Sequence, residues 1–221
     1  MTRTYRKAKR ADAQEETREK IVRATMALHL GNGVATTSYA DVAKRAGVGA
    51  ATVYRHFPTM GALVEACGAH VWRAIRPPRS EDAATLFAGL RSRTARIERL
   101  VGELDDFYDR AAAPLWSAVR DHDRVPELAL FLKEVLAGVT ALLAQALDDD
   151  PRARAVEIAA AVADFTVWRA LARTGADRKE RSRMLVAMID GALAARGHGS
   201  ATSSRTARRR RGGGPATSRM V

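Results

Sequence analysis

The sequence predicts an all-α protein in which a small amino-terminal three-helix unit precedes a larger helical body. Three observations carry that expectation. The 221-residue chain is 47% hydrophobic, with an alanine-rich interior and little glycine, a composition suited to helix. Its apolar residues recur at three- and four-residue spacing, whereas the alternating runs that mark strands are scarce. Serine, threonine, aspartate and proline stand where helices would begin, and glycine stands where they would stop. A chain of this length and apolar content can bury a sizeable core.

The first element is expected over residues 16–30, where Ile21, Ala24, Met26 and Leu28 form an apolar stripe that ends at Gly31 and Gly33. Residues 37–57, TSYADVAKRAGVGAATVYRHF, then read as two short helices joined by a tight turn. Ser38 caps the first of the pair and Asp41, three residues on, completes a capping box. Val42, Ala43 and Ala46 face inward, and Gly47 supplies the turn. In the second helix Val53 and Phe57 point to the same side, which leaves Thr52, Tyr54, Arg55 and His56 on the outer surface. Hydroxyls, a guanidinium and an imidazole suit phosphates and base edges, so the pair is expected to be a DNA-reading helix-turn-helix.

Beyond Pro58 the helices follow from their caps. Thr59 opens a helix over residues 60–73, which Pro77 and Pro78 end. Ser80, with Glu81 and Asp82 in the first turn, starts the next, through Phe87 and Leu90. A charged amphipathic helix is expected over residues 94–110, and a separate shorter one over 114–120, beginning at Pro114. Asp123 and Pro126 start a long helix that ends at the Asp148-Asp149-Asp150 run. Asp150 caps the next, with Pro151 in its first turn, and Gly175 stops it. Asp177 and Glu180 form a capping-box variant for the last helix, expected to end about Ala195.

The run A-G-V-x-x-x-T-V-Y-x-H-F within residues 46–57 resembles the amino-terminal domain of the TetR (tetracycline-repressor-like) family of bacterial transcription regulators. The resemblance covers about a quarter of the chain, and past Trp72 only the family's all-helical layout is shared. It implies a DNA-contacting set of Thr37, Ser38, Tyr39, Lys44, Gly49, Ala50, Ala51, Thr52, Tyr54, Arg55 and His56. Relatives often carry larger base-reading side chains where this chain has Ala40, Ala50 and Ala51. Alanine can touch a thymine methyl but cannot hydrogen-bond a base edge, so direct readout is expected to rest on few residues. Gly49 replaces a common capping serine, and Met60 a lysine that commonly meets phosphate.

Two late segments are too apolar for surface helices. Over residues 153–172 apolar side chains encircle the axis, and the last helix, with Met184, Leu185, Met188 and Ile189, is similar. A homodimer built from both helices is therefore expected, with Phe165, Trp168, Leu171, Leu185, Met188 and Ile189 at the interface. The resemblance implies the same arrangement. It also implies an effector pocket in the body, for which Phe87, Leu90, Phe107, Tyr108, Trp116 and Phe131 are the candidate lining and Asp164 the polar anchor. Leu115 belongs to the same apolar group. Asp164 interrupts an apolar stretch, and a buried carboxylate needs a partner, either an arginine such as Arg169, the second subunit or a cationic ligand.

Charge separates the ends from the middle. Lys and Arg number 37 against 25 Asp and Glu, a formal net charge of +12. Arg3, Arg6, Lys7, Lys9 and Arg10 at the start, and Arg196, Arg205, Arg208, Arg209, Arg210, Arg211 and Arg219 at the end, equal the whole excess. The division expected is a basic disordered arm over 1–12, the helix-turn-helix domain over 13–58, the effector and dimerisation domain over 59–196, and a basic disordered tail over 197–221. Such arms neutralise phosphates or simply solubilise the ends. The single Cys67 is expected to be a buried reduced thiol, in keeping with the cytoplasm. No secretory leader is legible, and the most apolar uncharged stretch, residues 135–147, falls short of the roughly 18 residues of a membrane span.

No catalytic pattern is present: no glycine-rich phosphate loop, no paired cysteine and histidine spacing, no nucleophile elbow. Asp121-His122-Asp123 and Asp148 to Asp150 sit at helix junctions, where acids cap and solvate, so no metal or cofactor is expected. The function expected is a homodimeric regulator of transcription, a repressor released from a palindromic double-stranded DNA operator by a largely apolar small molecule. An activator of the same family and a weakly specific architectural DNA-binding protein are the alternatives, and an enzyme is not expected.

Overall fold

The structure is a computed structural model that describes the backbone over residues 3–209 and side chains over residues 7–195. Among the described residues there are helices and turns and no strand. The chain runs α1 (Arg3–Asn32), α2 (Tyr39–Ala46), α3 (Ala50–His56), α4 (Met60–Ile75), a 3-10 turn (Ser80–Asp82), α5 (Ala83–Leu86), α6 (Arg93–Asp121), α7 (Pro126–Leu147), α8 (Arg154–Val162), α9 (Phe165–Ala172) and α10 (Arg178–Arg209). None of the described helices is long and apolar enough to cross a membrane.

Two cores form. The smaller joins Ile21 and Val22 of α1, Val42, Ala43 and Ala46 of α2, Val53 and Phe57 at α3, and Leu63 and Cys67 of α4. The boundary expected at Pro58 therefore moves into α4, whose first half packs on the head while Ile75 at its far end enters the larger core. That larger core is built on α6, α7, α8, α9 and α10, around Leu100, Leu104, Phe107, Leu142, Leu143 and Ile189.

Several junctions differ from the sequence expectation. Residues 3–12 are the first turns of α1, not a disordered arm, because nothing in that stretch breaks a helix. Residues 94–120 form one helix, α6, with Pro114 inside it. The hydrogen bond and steric fit that a mid-helix proline sacrifices, about 3 kcal/mol, are offset by burial of the flanking Ala111, Leu115 and Ala118. Residues 153–172 are two helices, broken at Ala163 and Asp164. The Tyr108 hydroxyl donates to the freed Ala163 carbonyl at 2.7 Å, and the Asp164 carboxylate accepts from Thr166 N at 2.8 Å. Asp150 shapes the turn before α8 by accepting from Arg152 N at 2.7 Å, and Ala153 is the residue at the cap. The backbone of α10 runs on past Gly197 to Arg209, since alanine and arginine sustain helix and two glycines do not end it. The rest of the expected basic tail, residues 210–221, lies outside the described residues.

One buried ionic cluster fastens the body. Asp105 of α6 receives two hydrogen bonds from Arg181 of α10, at 2.8 and 3.0 Å, and a third from the Trp168 indole of α9, at 2.7 Å. With every oxygen engaged, a carboxylate that is 1% exposed is tolerated in the core.

Candidate nucleic-acid interface and effector cavity

The amino-terminal head is shaped by local sequence. Ser38 and Asp41 form a complete capping box at α2, and Gly47 ends that helix with φ of 61°, a left-handed conformation that favours glycine. The turn aims α3 outward. Gly49, at the start of α3, gives no side-chain cap. Tyr39 and Tyr54 stack with ring centroids 4.1 Å apart, and the Tyr39 hydroxyl donates to the Phe57 carbonyl at 2.9 Å. Burial, with Tyr54 alongside, pushes the Tyr39 phenol up from its ordinary pKa. The pair ties the first residue of α2 to the end of α3, and Tyr54 remains 52% exposed.

Around that pair the expected contact residues separate into two groups. Ser38, Lys44, Gly49, Ala50, Ala51, Tyr54 and Arg55 are exposed, and Tyr39, Thr52 and His56 are half-buried on the same two helices. Thr37 is not on the surface. It is 8% exposed and its hydroxyl donates to the Gly33 carbonyl at 2.7 Å, so it closes the loop between α1 and α2.

The expected pocket lining is mostly elsewhere. A cavity of about 870 Å³ opens between α1, α4, α6 and α7, lined by Met26, His29, Val34, Val64, Cys67, Val71, Trp72, Ser117 and Phe131, among others. Of the sequence candidates only Phe131 is there, edge-on to Trp72 at 5.7 Å. Phe107 and Tyr108 are 1% and 2% exposed inside the larger core, and Phe87 packs against it. Leu90 is half-buried after α5, and Trp116 faces outward beneath the Arg169 guanidinium at 4.1 Å. Asp164 is a helix cap bonded to Thr166; among the described residues it has no arginine partner, unlike the buried ion pair expected, and it does not line this cavity.

Phe107 and Tyr108 of α6 belong to the larger core, whereas Arg110, Pro114, Ser117 and Ala118 of the same helix line the cavity, a distinction that composition does not reveal. His29, Cys67 and Trp72 were not expected as lining. Their only signal was position on apolar helices, which is equally that of a core. Burial drives the Cys67 thiol up to about 12, so it is protonated and inert, in keeping with the buried reduced thiol expected. His29 is 8% exposed, and burial outweighs the nearby Asp121 to lower its pKa to about 4.

Next to the cavity, α6 holds the end of α1. Asp121 accepts from Val34 N at 2.6 Å and Ala35 N at 3.2 Å, and the Ser117 hydroxyl donates to the His29 carbonyl at 3.3 Å. Gly33 has φ of 101°, and a Cβ there would strike the Arg120 guanidinium that pairs with Asp121.

The dimer expectation also changes. Phe165, Trp168, Leu185 and Ile189 are 4%, 4%, 2% and 0% exposed within the single chain, so they have no surface left for a partner. Leu171 is half-buried against the larger core. Met184 and Met188 are 41% and 43% exposed, one turn apart on α10.

The family model of bacterial regulatory proteins, tetR family, matches residues 21–67, which span the end of α1 through the first half of α4. The amino-terminal unit is similar to the regulatory domains of the tetR family. Over 80–82% of its length the chain is similar in fold to solved TetR-family regulators. One from Rhodococcus sp. is 19% identical with a TM-score of 0.54, the match covering 80% of this chain and 99% of that one. Another, from Mesorhizobium loti, is 20% identical with a TM-score of 0.53, covering 82% and 97%. The flavonoid-responsive regulator FrrA is 23% identical with a TM-score of 0.55, also covering 82% and 97%. None of the curated proteins matches this chain. The family match covers the head, and the likeness in fold extends to the body.

Proposed function

We propose that the protein is a homodimeric repressor that holds a palindromic operator through α2 and α3 and releases it when a small, largely apolar molecule fills the cavity between α1, α4, α6 and α7. The observation that carries this reading is the cavity's position. Its wall includes His29, Val34 and Ser117, and the same segment is where Asp121 and Ser117 hold the end of α1 against α6. An occupant there pushes on the joint between body and head, and a change in head spacing weakens binding to paired half-sites. Met184 and Met188 supply the exposed apolar surface for a second copy. Genome-wide mapping of bound sites followed by footprinting tests the reading. A bounded palindrome with at least about a thousand-fold preference over random DNA supports it. Continuous coating of DNA supports instead an architectural protein, which the alanines at 40, 50 and 51 and the basic ends favour. Raised transcription from a bound promoter on loss of the gene supports repression, and lowered transcription an activator.

A further inference from the structure

His29 is a buried polar group of the cavity lining whose side chain has an unbonded nitrogen among the described residues. The residue lines the cavity and is 8% exposed, and its buried Nε2 has no hydrogen-bond partner among the described residues. A buried nitrogen in that condition costs stability, so a group that bonds it is bound more tightly for doing so. The lining with it includes apolar Val64, Val71 and Phe131, and the half-buried Trp72, whose ring is apolar apart from its indole N–H. The hydroxyl of Ser117 in the same lining already donates to the His29 carbonyl. The charged lining residues Glu65, Arg110, Lys133 and Glu134 are exposed and Glu127 is half-buried, which places formal charge toward solvent.

We propose that the cavity takes an uncharged aromatic or alicyclic compound carrying a hydroxyl or carbonyl, and that Nε2 of His29 bonds that polar atom. The inference rests on the reading of the cavity as the effector site. The imidazole is neutral at pH 7 because burial lowers its pKa to about 4, so it offers one donor and one acceptor and no charge to attract an anion. Because His29 lies on α1, four residues before Gly33, the bond is made to the helix that leads directly into the reading head.

The test uses the full-length protein with 4-phenylphenol and its isostere 4-methylbiphenyl, which keeps the rings and replaces the hydroxyl by a methyl. Calorimetric titration of the wild type is expected to show a preference for the phenol of about tenfold, the contribution of one buried hydrogen bond. His29→Leu is expected to abolish that preference and His29→Gln to keep part of it. A direct readout that needs no variant is the ring nitrogen resonance of His29, expected to move with the phenol and not with the isostere. The same preference in wild type and His29→Leu, or a resonance unmoved at saturating phenol, overturns the ligand class while leaving the cavity as a binding site. Gly68 lines the cavity with open space where its Cβ would be, so Gly68→Phe partly fills it. Undiminished binding of both compounds to Gly68→Phe, or no saturable binding of either to the wild type, overturns the cavity reading itself.

Discussion

Tyr54 holds its place on the outer surface of α3 because its ring lies on Tyr39, which is itself anchored to the Phe57 carbonyl. Tyr54→Ala removes the exposed ring and hydroxyl, and Thr52→Ala removes a hydroxyl from the same face. Both are expected to weaken operator binding about tenfold with helical content unchanged, since neither residue lies in a core, and Tyr54→Ala also to lower the melting temperature slightly through loss of the stack on Tyr39. Gel-shift titration checks this, and full affinity in both variants would take α3 out of the interface. At His29 the expectation concerns acid. Its folded pKa of about 4 lies below the ordinary 6.5, so the folded state resists taking the proton and the unfolded state takes it first. The stabilisation is whole above pH 6.5 and drains away as pH falls toward 4, by about 3 kcal/mol in all. Urea titrations across that window should show the loss in wild type and a flatter profile in His29→Leu. Asp121 titrates outside the same window, because the Arg120 guanidinium beside it and two backbone N–H groups hold its carboxyl below the usual carboxylate range.

Among the elements, α10 divides its work between two faces. Leu185 and Ile189 enter the core, and Met184 and Met188 face outward. A charge at the first face is expected to unfold the chain, and a charge at the second to separate the dimer while leaving the monomer folded. Leu185→Glu should therefore lose its cooperative melt, whereas Met188→Glu should sediment as a folded monomer at micromolar concentration. Dimers that survive Met188→Glu unchanged would move the interface away from this face of α10. The break between α8 and α9 illustrates why helix boundaries were harder to read than helix existence. Asp164 is a good cap by itself, but in a stretch of ten or more apolar residues it reads equally as a buried ion. What separates the two is Tyr108, fifty-five residues earlier in the chain, whose hydroxyl takes the Ala163 carbonyl that the break sets free. Pro114 is the opposite case: a strong local stop overridden by the burial of its neighbours in α6.

At the scale of the molecule, head and body are joined by α4, which enters both cores, and by the contact between α6 and the end of α1. Asp121→Ala leaves two backbone N–H groups without their acceptor, a cost of about 1–3 kcal/mol. It is also expected to loosen the head. Spin labels at exposed Arg55 and Leu136, on α3 and α7, should report a broader distance distribution in Asp121→Ala than in the parent. An unchanged width would mean that the carboxylate stabilises the loop without governing the head. The basic ends act at the same scale. A chain ending at Gly197 loses six of the seven terminal arginines. If they meet phosphates, each lost contact lowers the magnitude of the log-affinity against log-salt slope by about 0.9, equally on operator and random DNA. Identical slopes in the full and shortened chains would make the arginines bystanders.

The sequence by itself determined the all-helical class, the capping box at Ser38 and Asp41, the turn at Gly47 and the outward set on α3, because each depends on residues within one or two turns of one another. It also determined that the single thiol is buried and that the basic excess sits at the two ends. Only the tertiary structure decided which apolar stripes are core and which line a cavity. An apolar face specifies burial without naming what it is buried against, so Phe107 and Trp168 carry the same periodic signal as residues that meet a ligand or a second subunit. The structure likewise decided that His29 closes on the cavity and that Asp121 holds α1, since residues separated by nearly ninety positions meet only when α6 lies across the end of α1.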